Sequence, residues 1–505
     1  MKKVLLVLCV VCSALCGQAA FHWIGVGGSG VGYFDVASNW GESAVPGTND
    51  FLVVKNFADN KANWAVAFSN DVTNLKAELV ASTNNYGLTF NLNGHTWTLT
   101  DSAAGIHMFE ARGGMLTFSN GTIRTPFFSF TTPPAGTSTN MFLKLKDMVS
   151  EVGKTDYAAV QATFEGGSMK VTNSLSIGTV NYGVGTVLLD KGVNVYVTNA
   201  LAVGDAVGAT GELINVNGQL EHRSAYGAFF IGRAGRGSMT ILGGSTFIQQ
   251  VPYIGYTNTG VGVLTVAGGV NTFGTQGENK MDVGSYGRGS VLAYGGTNYA
   301  VGLNFGYNPS GYGEMILTNG IWTFSNYSWI GCFGKGVISM SGGTMVSPAT
   351  FCIGRQSGGT GVVTVAGGTL DVNAEVRLGG ASGSCGSLAL SGTGVLKAGY
   401  ISELESGAVS SLLFDGGTLQ PKWSLASGAL IRSVDDIRLT ANGLVVDTVG
   451  YDAVITGLLQ NASGEAGCIT KKGLGTLTLV GTRAATGSVS VLVGTLVMSN
   501  NVAVS

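Results

Sequence analysis

One phrase returns along the middle of this chain and limits what it can fold into. Apolar-x-apolar-Gly is followed by a polar stretch, then by an alternating run closed with Gly-Gly or Asn-Gly. Its clear copies place an apolar residue before glycine at Ile177, Val203, Ile231, Ile254, Val283, Phe305, Ile330, Ile353 and Leu378. The period is about 25 residues, within the range of solenoid units. In Gly262-Val263-Leu264-Thr265-Val266, Leu264 and Val266 fall on one face and Thr265 on the other, a period of two that reads as strand. Glycine pairs then turn the chain, and Asn stands in for glycine at Asn319-Gly320 and Asn120-Gly121.

Three short strands and three glycine-rich corners per copy describe one coil of a parallel β-helix. The expected fold is therefore all-β: a right-handed parallel β-solenoid of about 25-residue coils with an N-terminal cap. Hairpin sandwiches do not need the same phrase every coil, and propeller blades need longer units. Composition agrees. Glycine supplies 81 of 505 residues, and charged residues are 11%, against a usual ~25%. A narrow coil has few outward positions and fills them with Ser, Thr and Asn. With 27 bases against 29 acids, no basic footprint for nucleic acid exists.

The sequence divides further. Residues 1–19 read as a secretory signal, with Lys2 and Lys3 before an apolar run and Gly17-Gln18-Ala19 at its end. Export to the extracellular space or outer cell surface follows. No later stretch holds 18 continuous apolar residues, so no transmembrane segment is expected in the mature chain. Residues 20–80 are expected to cap the first coil, and 81–165 to form the first coils. Pro126, Pro133 and Pro134 mark a loop insertion over 125–157. Residues 166–430 carry the clear repeats. Cys332, Cys352, Cys385 and Cys468 lack a CxxC pair, so buried free thiols are expected and no metal site.

The C-terminal region, 431–505, carries a second pattern. Lys471-Lys472-Gly473-Leu474-Gly475-Thr476-Leu477-Thr478-Leu479 is followed by Gly481, Gly487 and Gly494-Thr495-Leu496. This resembles the autotransporter-associated β-strand repeat. Asn39-Trp40 and Pro46-Gly47-Thr48-Asn49-Asp50 resemble the opening segment of the same class of secreted solenoids. The resemblance implies an exported, passenger-like rod at a bacterial surface, an adhesin or envelope component. Such proteins often end in an outer-membrane barrel or sorting signal. The residues up to Val504-Ser505 show neither, so release, non-covalent retention or truncation is expected.

Enzyme chemistry finds little footing. Asp435-Asp436 is the only acidic doublet and reads as a loop and cap ahead of a strand. Asp205, Asp282, Asp371 and Glu375 fall at different repeat positions and are not expected to stack into a site. His22, His95, His107 and His222 show no metal spacing. The Gly25–Gly30 match to GxGxxG has no strand before it or helix after it. No cofactor is expected.

One binding signal remains. The residue after each apolar-Gly pair should stack along one edge. There Arg233, Tyr256, Tyr307 and Arg355 offer a strip of aromatic and guanidinium faces suited to sugar rings or acidic glycans; the plainer alternative is corner residues packing on their neighbours above and below. The functional expectation is an exported, non-enzymatic, adhesin-like surface β-solenoid that binds glycans through this strip. A polysaccharide lyase or glycoside hydrolase on the same fold is the alternative.

Overall fold

The computed structural model describes residues 20–24, 31–55, 63–80, 87–101, 109–110, 114–131, 141–157, 160–179, 183–224, 226–275, 280–424 and 428–499. The signal segment, the Gly25–Gly30 run and His107 lie outside them. The chain is a parallel β-solenoid, with one 3-10 turn at Ala37–Asn39 as the only helical element among the described residues. It divides into two compact units, 1–174 and 175–505.

The second unit shows the coil most plainly. Each turn has three strands. The first face is built from strands such as Thr210–Asn215, Arg236–Ile241, Val261–Val266 and Arg288–Ala293. The second face carries Gln219–His222, Ser245–Ile248, Val270–Phe273 and Thr297–Ala300. The third carries Phe229–Ile231, Pro252–Ile254, Met281–Val283 and Leu303–Phe305. Every strand pairs in parallel with its counterpart one coil on, so Arg236 sits beside Val261 and Val261 beside Arg288.

The apolar column read from the sequence forms the core. Ile177, Val203, Ile231, Ile254, Val283, Phe305, Ile330, Ile353 and Leu378 are all fully buried. Burying one such side chain contributes roughly 1.5–3 kcal/mol, and each coil repeats the gain against its own ordering entropy. Along Val261–Val266 burial alternates strictly, with Leu264 and Val266 inside. On the second face the core turns polar: the Asn271 amide donates to Asn298 Oδ1 at 2.9 Å, and Asn298 donates to Gly295 and Ile321 carbonyls.

The glycine of the phrase has two causes. Gly255 takes φ +73°, which L side chains avoid, and a Cβ there would run into the Arg288 carbonyl of the coil above. Gly262, at the start of the first-face strand, would equally meet the Ile231 carbonyl. Adjacent coils thus touch backbone to backbone at this corner.

In the first unit, stacking starts earlier than the expected boundary at residue 80. Val31–Tyr33 already pairs in parallel with 65–67, and Trp64–Ala67 with Leu88–Asn91. A separate three-stranded parallel sheet joins Ala20–His22, Phe51–Lys55 and Lys76–Val80. Its neighbour is an aromatic core: Trp23 and Trp40 meet edge-on at 5.0 Å, and Phe34 stacks on Phe68 at 4.8 Å. The Asn39 amide and Trp40 indole donate to the Tyr33 and Phe34 carbonyls, which fixes the Asn-Trp pair singled out in the sequence.

The expected loop over 125–157 is a further difference. Its described backbone lies in the strands Gly114–Thr131 and Met141–Tyr157, which run parallel in register. The register passes from Thr125↔Val152 to Phe127↔Lys154, so Pro126 sits between paired positions and its missing N–H is tolerated. Pro133 and Pro134 lie outside the described residues.

The C-terminal pattern also has a structural cause. Lys471 is completely buried, and its ammonium donates to Thr448 Oγ1 (3.0 Å) and to the carbonyls of Lys472 (2.8 Å), Gly473 (2.7 Å) and Val493 (3.1 Å). Gly494, at φ +80°, leaves room for it: a Cβ there would come within 2.8 Å of Lys471 Nζ. The first lysine and last glycine of the pattern are two halves of one corner plug.

Candidate functional site

The outward surface of the third face, in the second unit, carries the molecule's most distinctive chemistry. Two columns run along it. The first is the middle residue of each third-face strand: Phe230, Tyr253, Asp282, Asn304, Trp329, Cys352 and Arg377, each in register with the next. The second is the corner column read from the sequence, in which Ser285 separates Tyr256 from Tyr307 and Cys332 separates Tyr307 from Arg355.

Between these columns lie two cavities of about 360 and 390 Å³ that share Trp329. Both fall in the size range of small-ligand clefts, about 300–1,000 Å³. The first is walled by Tyr253, Tyr256, Tyr286, Tyr307 and Trp329, with Lys280, Asp282, Ser285 and Asn304 among its polar groups. Arg355, Arg377, Tyr327 and Cys352 help to line the second.

The aromatic groups brace one another. Tyr253 lies 5.3 Å from Phe230 and 4.9 Å from Tyr256, and Tyr256 meets Phe230 at 5.1 Å. Cations sit on the rings beyond them. Arg355 lies 3.4 Å from the Trp329 ring centre, and Lys280 lies 4.0 and 4.1 Å from Tyr327 and Trp329.

Asp282 stands out. It is buried, and burial pushes its carboxyl up to about 7, only partly offset by the nearby Ser285 hydroxyl. Tyr253 is pushed above the usual phenol range by burial first and by Asp282 second. Asp282 Oδ1 and Asn304 Oδ1 are buried without a hydrogen-bond partner in the protein.

The four residues of the expected strip divide. Tyr256 and Tyr307 line the first cavity and Arg355 the second. Arg233 lines neither; it pairs with Asp205 at 2.5 Å and lies 5.8 Å from the Phe230 ring. Asp282, which the sequence placed among scattered acids, instead belongs to the cavity. The missed residues are the neighbouring column, and its signal was the variable x in Pro-Tyr-Ile, Met-Asp-Val, Leu-Asn-Phe and Ser-Trp-Ile.

Other titratable groups have local work. Asp371 pairs with Lys422 and Glu375 with Arg377, at 2.5 and 2.6 Å. Asp435 accepts from the Ser410 backbone, Asp436 pairs with Arg438, and Glu403 beside Asp435 is raised chiefly by burial. His222 is buried against the Asn199 carbonyl, and burial lowers its pKa. His22 faces Glu42 and His95 faces Asp71. Among the described residues Cys332, Cys352, Cys385 and Cys468 are free thiols, Cys332 and Cys352 buried. Among the described residues no group of three or more His, Cys, Asp or Glu is placed to hold a metal ion, and no helix is long and apolar enough to cross a membrane. No family model, curated protein or solved structure matches this chain.

Proposed function

We propose that this protein is an exported, adhesin-like surface β-solenoid that engages extracellular or cell-envelope glycans along its third face without catalysis. The observation that carries the reading is the pair of aromatic-walled cavities, set side by side on consecutive coils and sharing Trp329. Sugar rings present C–H faces that pack on aromatic rings and hydroxyls that need polar partners. A face repeating both over several coils suits an extended chain better than one small molecule. The signal-like start and the C-terminal repeat pattern support export and a passenger-like role.

A second reading has one observation in its favour. Asp282, pushed up to about 7 in a cavity, has the protonation of a general acid. Glycoside hydrolysis needs a second carboxylate, and Asp282 is the only carboxylate among the described residues lining either cavity.

A polysaccharide panel on the purified chain, scoring bound protein and released oligosaccharide together, tests both. Binding without release is expected. Release would move the assignment to an enzyme, and absence of binding to any member would remove the glycan reading.

A further inference from the structure

Resting on the glycan reading above, we infer that the first cavity is a subsite for one uncharged pyranose ring, held by tyrosine walls and by the oxygens of Asp282, Ser285 and Asn304. Two features converge. Asp282 and Asn304, which line the cavity, are 6% and 8% exposed, and each has a buried oxygen without a hydrogen-bond partner in the protein. Asp282 and Asn304 are in-register neighbours on successive coils, and Ser285 lies one corner on from Asp282. Buried unpaired oxygens forfeit their hydration, and those of Asp282 and Asn304, unlike Asn271 Oδ1 in the core, line a cavity that a ligand can enter. Such oxygens call for donors, and sugar hydroxyls are donors.

The charges around the cavity narrow the ligand. An anionic sugar would meet the Asp282 carboxylate. A cationic one would meet Lys280, whose ammonium already covers Tyr327 and Trp329. A neutral ring avoids both penalties. Its C–H face suits Tyr253 and Tyr256, whose rings brace each other at 4.9 Å. The cavity of about 360 Å³ has room for a ring and the links on either side. With its carboxyl pushed up to about 7, Asp282 is about half ionised at neutrality, so it accepts from hydroxyls while its charge still opposes an anionic ring.

The test is an array of neutral, acidic and amino oligosaccharides probed with the full chain and with Asp282→Ala, Asn304→Leu and Tyr226→Ser. Tyr226 is a freely exposed tyrosine away from both cavities' linings and controls for general aromatic stickiness. The wild-type chain is expected to prefer neutral glycans. Asp282→Ala and Asn304→Leu should each weaken that binding roughly tenfold or more, as loss of a buried polar contact does, with Tyr226→Ser within about twofold. If circular dichroism shows either variant unfolded, Asp282→Asn and Ser285→Ala are read against the same threshold. Neutral-glycan binding that survives these changes overturns the subsite and leaves the broader reading standing, as does preference for acidic or amino glycans. Absence of binding to every glycan overturns the broader reading, and the subsite with it.

Discussion

The buried lysine at the C-terminal corner gives the sharpest test of how the coil is held. Lys471→Met keeps the length of the apolar stem and removes the ammonium. Four acceptors lose a donor, but not equally. The Lys472 carbonyl still accepts from Thr448 N at 3.0 Å and Thr448 Oγ1 at 3.1 Å. The Thr448 hydroxyl keeps that donated bond. The carbonyls of Gly473 and Val493 are the ones that lose their side-chain partner. An orphaned buried acceptor costs about 1–3 kcal/mol, but Gly473 is half-buried and Val493 exposed, so water replaces part of the lost donor and the two together cost about 2–3. Part is returned, because burial depresses the pKa of Lys471 and so already penalises its charged form. A net loss of about 1.5 kcal/mol is expected, confined to the last coils because solenoid coils contact only their neighbours. Hydrogen exchange of the amides in Thr476–Val480 and Thr495–Ser499 reads it directly. About 1.5 kcal/mol corresponds to exchange faster by roughly tenfold. Lys472→Met, at the exposed neighbour, should change it little. Protection in Lys471→Met within a factor of about two of wild type would refute the plug.

Four further outcomes follow. Ile254→Asp puts an unpaired charge in a fully buried column and should open nearby coils to limited proteolysis; unchanged resistance would mean the register is wrong. Gly255→Ala combines φ +73° with a carbonyl in its path and should cost more than ~2 kcal/mol in urea unfolding, whereas Gly464→Ala, at φ +77° with open space around it, should cost about 1; equal costs would discount the backbone contact. Asp282 has its carboxyl raised from 3.8 to about 7, so the folded state holds the proton longer than the unfolded chain. Stability should be highest below about pH 4, fall between about 4 and 7, and level off above, by at most about 4 kcal/mol; Asp282→Asn should abolish that segment in a pH series of thermal melts, and a parallel curve would sink the assignment. The Cys352 thiol, pushed up to about 12 by burial, should resist iodoacetamide at pH 8 while Cys385 and Cys468, both partly exposed, react first; mass spectrometry of the labelled chain decides.

Much of the fold was legible because two physical signals coincide in each coil. Period-two burial marks the strands, and glycine marks corners where backbones meet. Leu264 and Val266 with Gly255 are enough to set one coil. The stretch around Pro126 was not legible, since a proline between paired positions reads in sequence like a loop. The candidate site was half legible. Tyr256, Tyr307 and Arg355 follow the glycine and so share a fixed repeat position. Tyr253, Asn304 and Trp329 precede it at a position whose residue type varies from coil to coil. Asp282 looks like any surface acid in the sequence, because its burial is conferred by tyrosine and tryptophan side chains from other coils.

The parallel coil-on-coil stacking of the second unit, with local register shifts near Ser341 and between Val372 and Glu375, also fixes how it should respond to mechanical load. Hydrogen bonds between coils run along the stacking direction, so tension applied to its two ends loads one junction at a time. Coils should peel singly. Each released coil of about 25 residues frees roughly 85 Å of chain and gives up about 4.8 Å of stack. The step lengths need not be equal. The coil between Tyr312 and Lys335 is short and that between Val261 and Arg288 is long, so the extension record of a single molecule would carry the sequence's own spacing as a barcode.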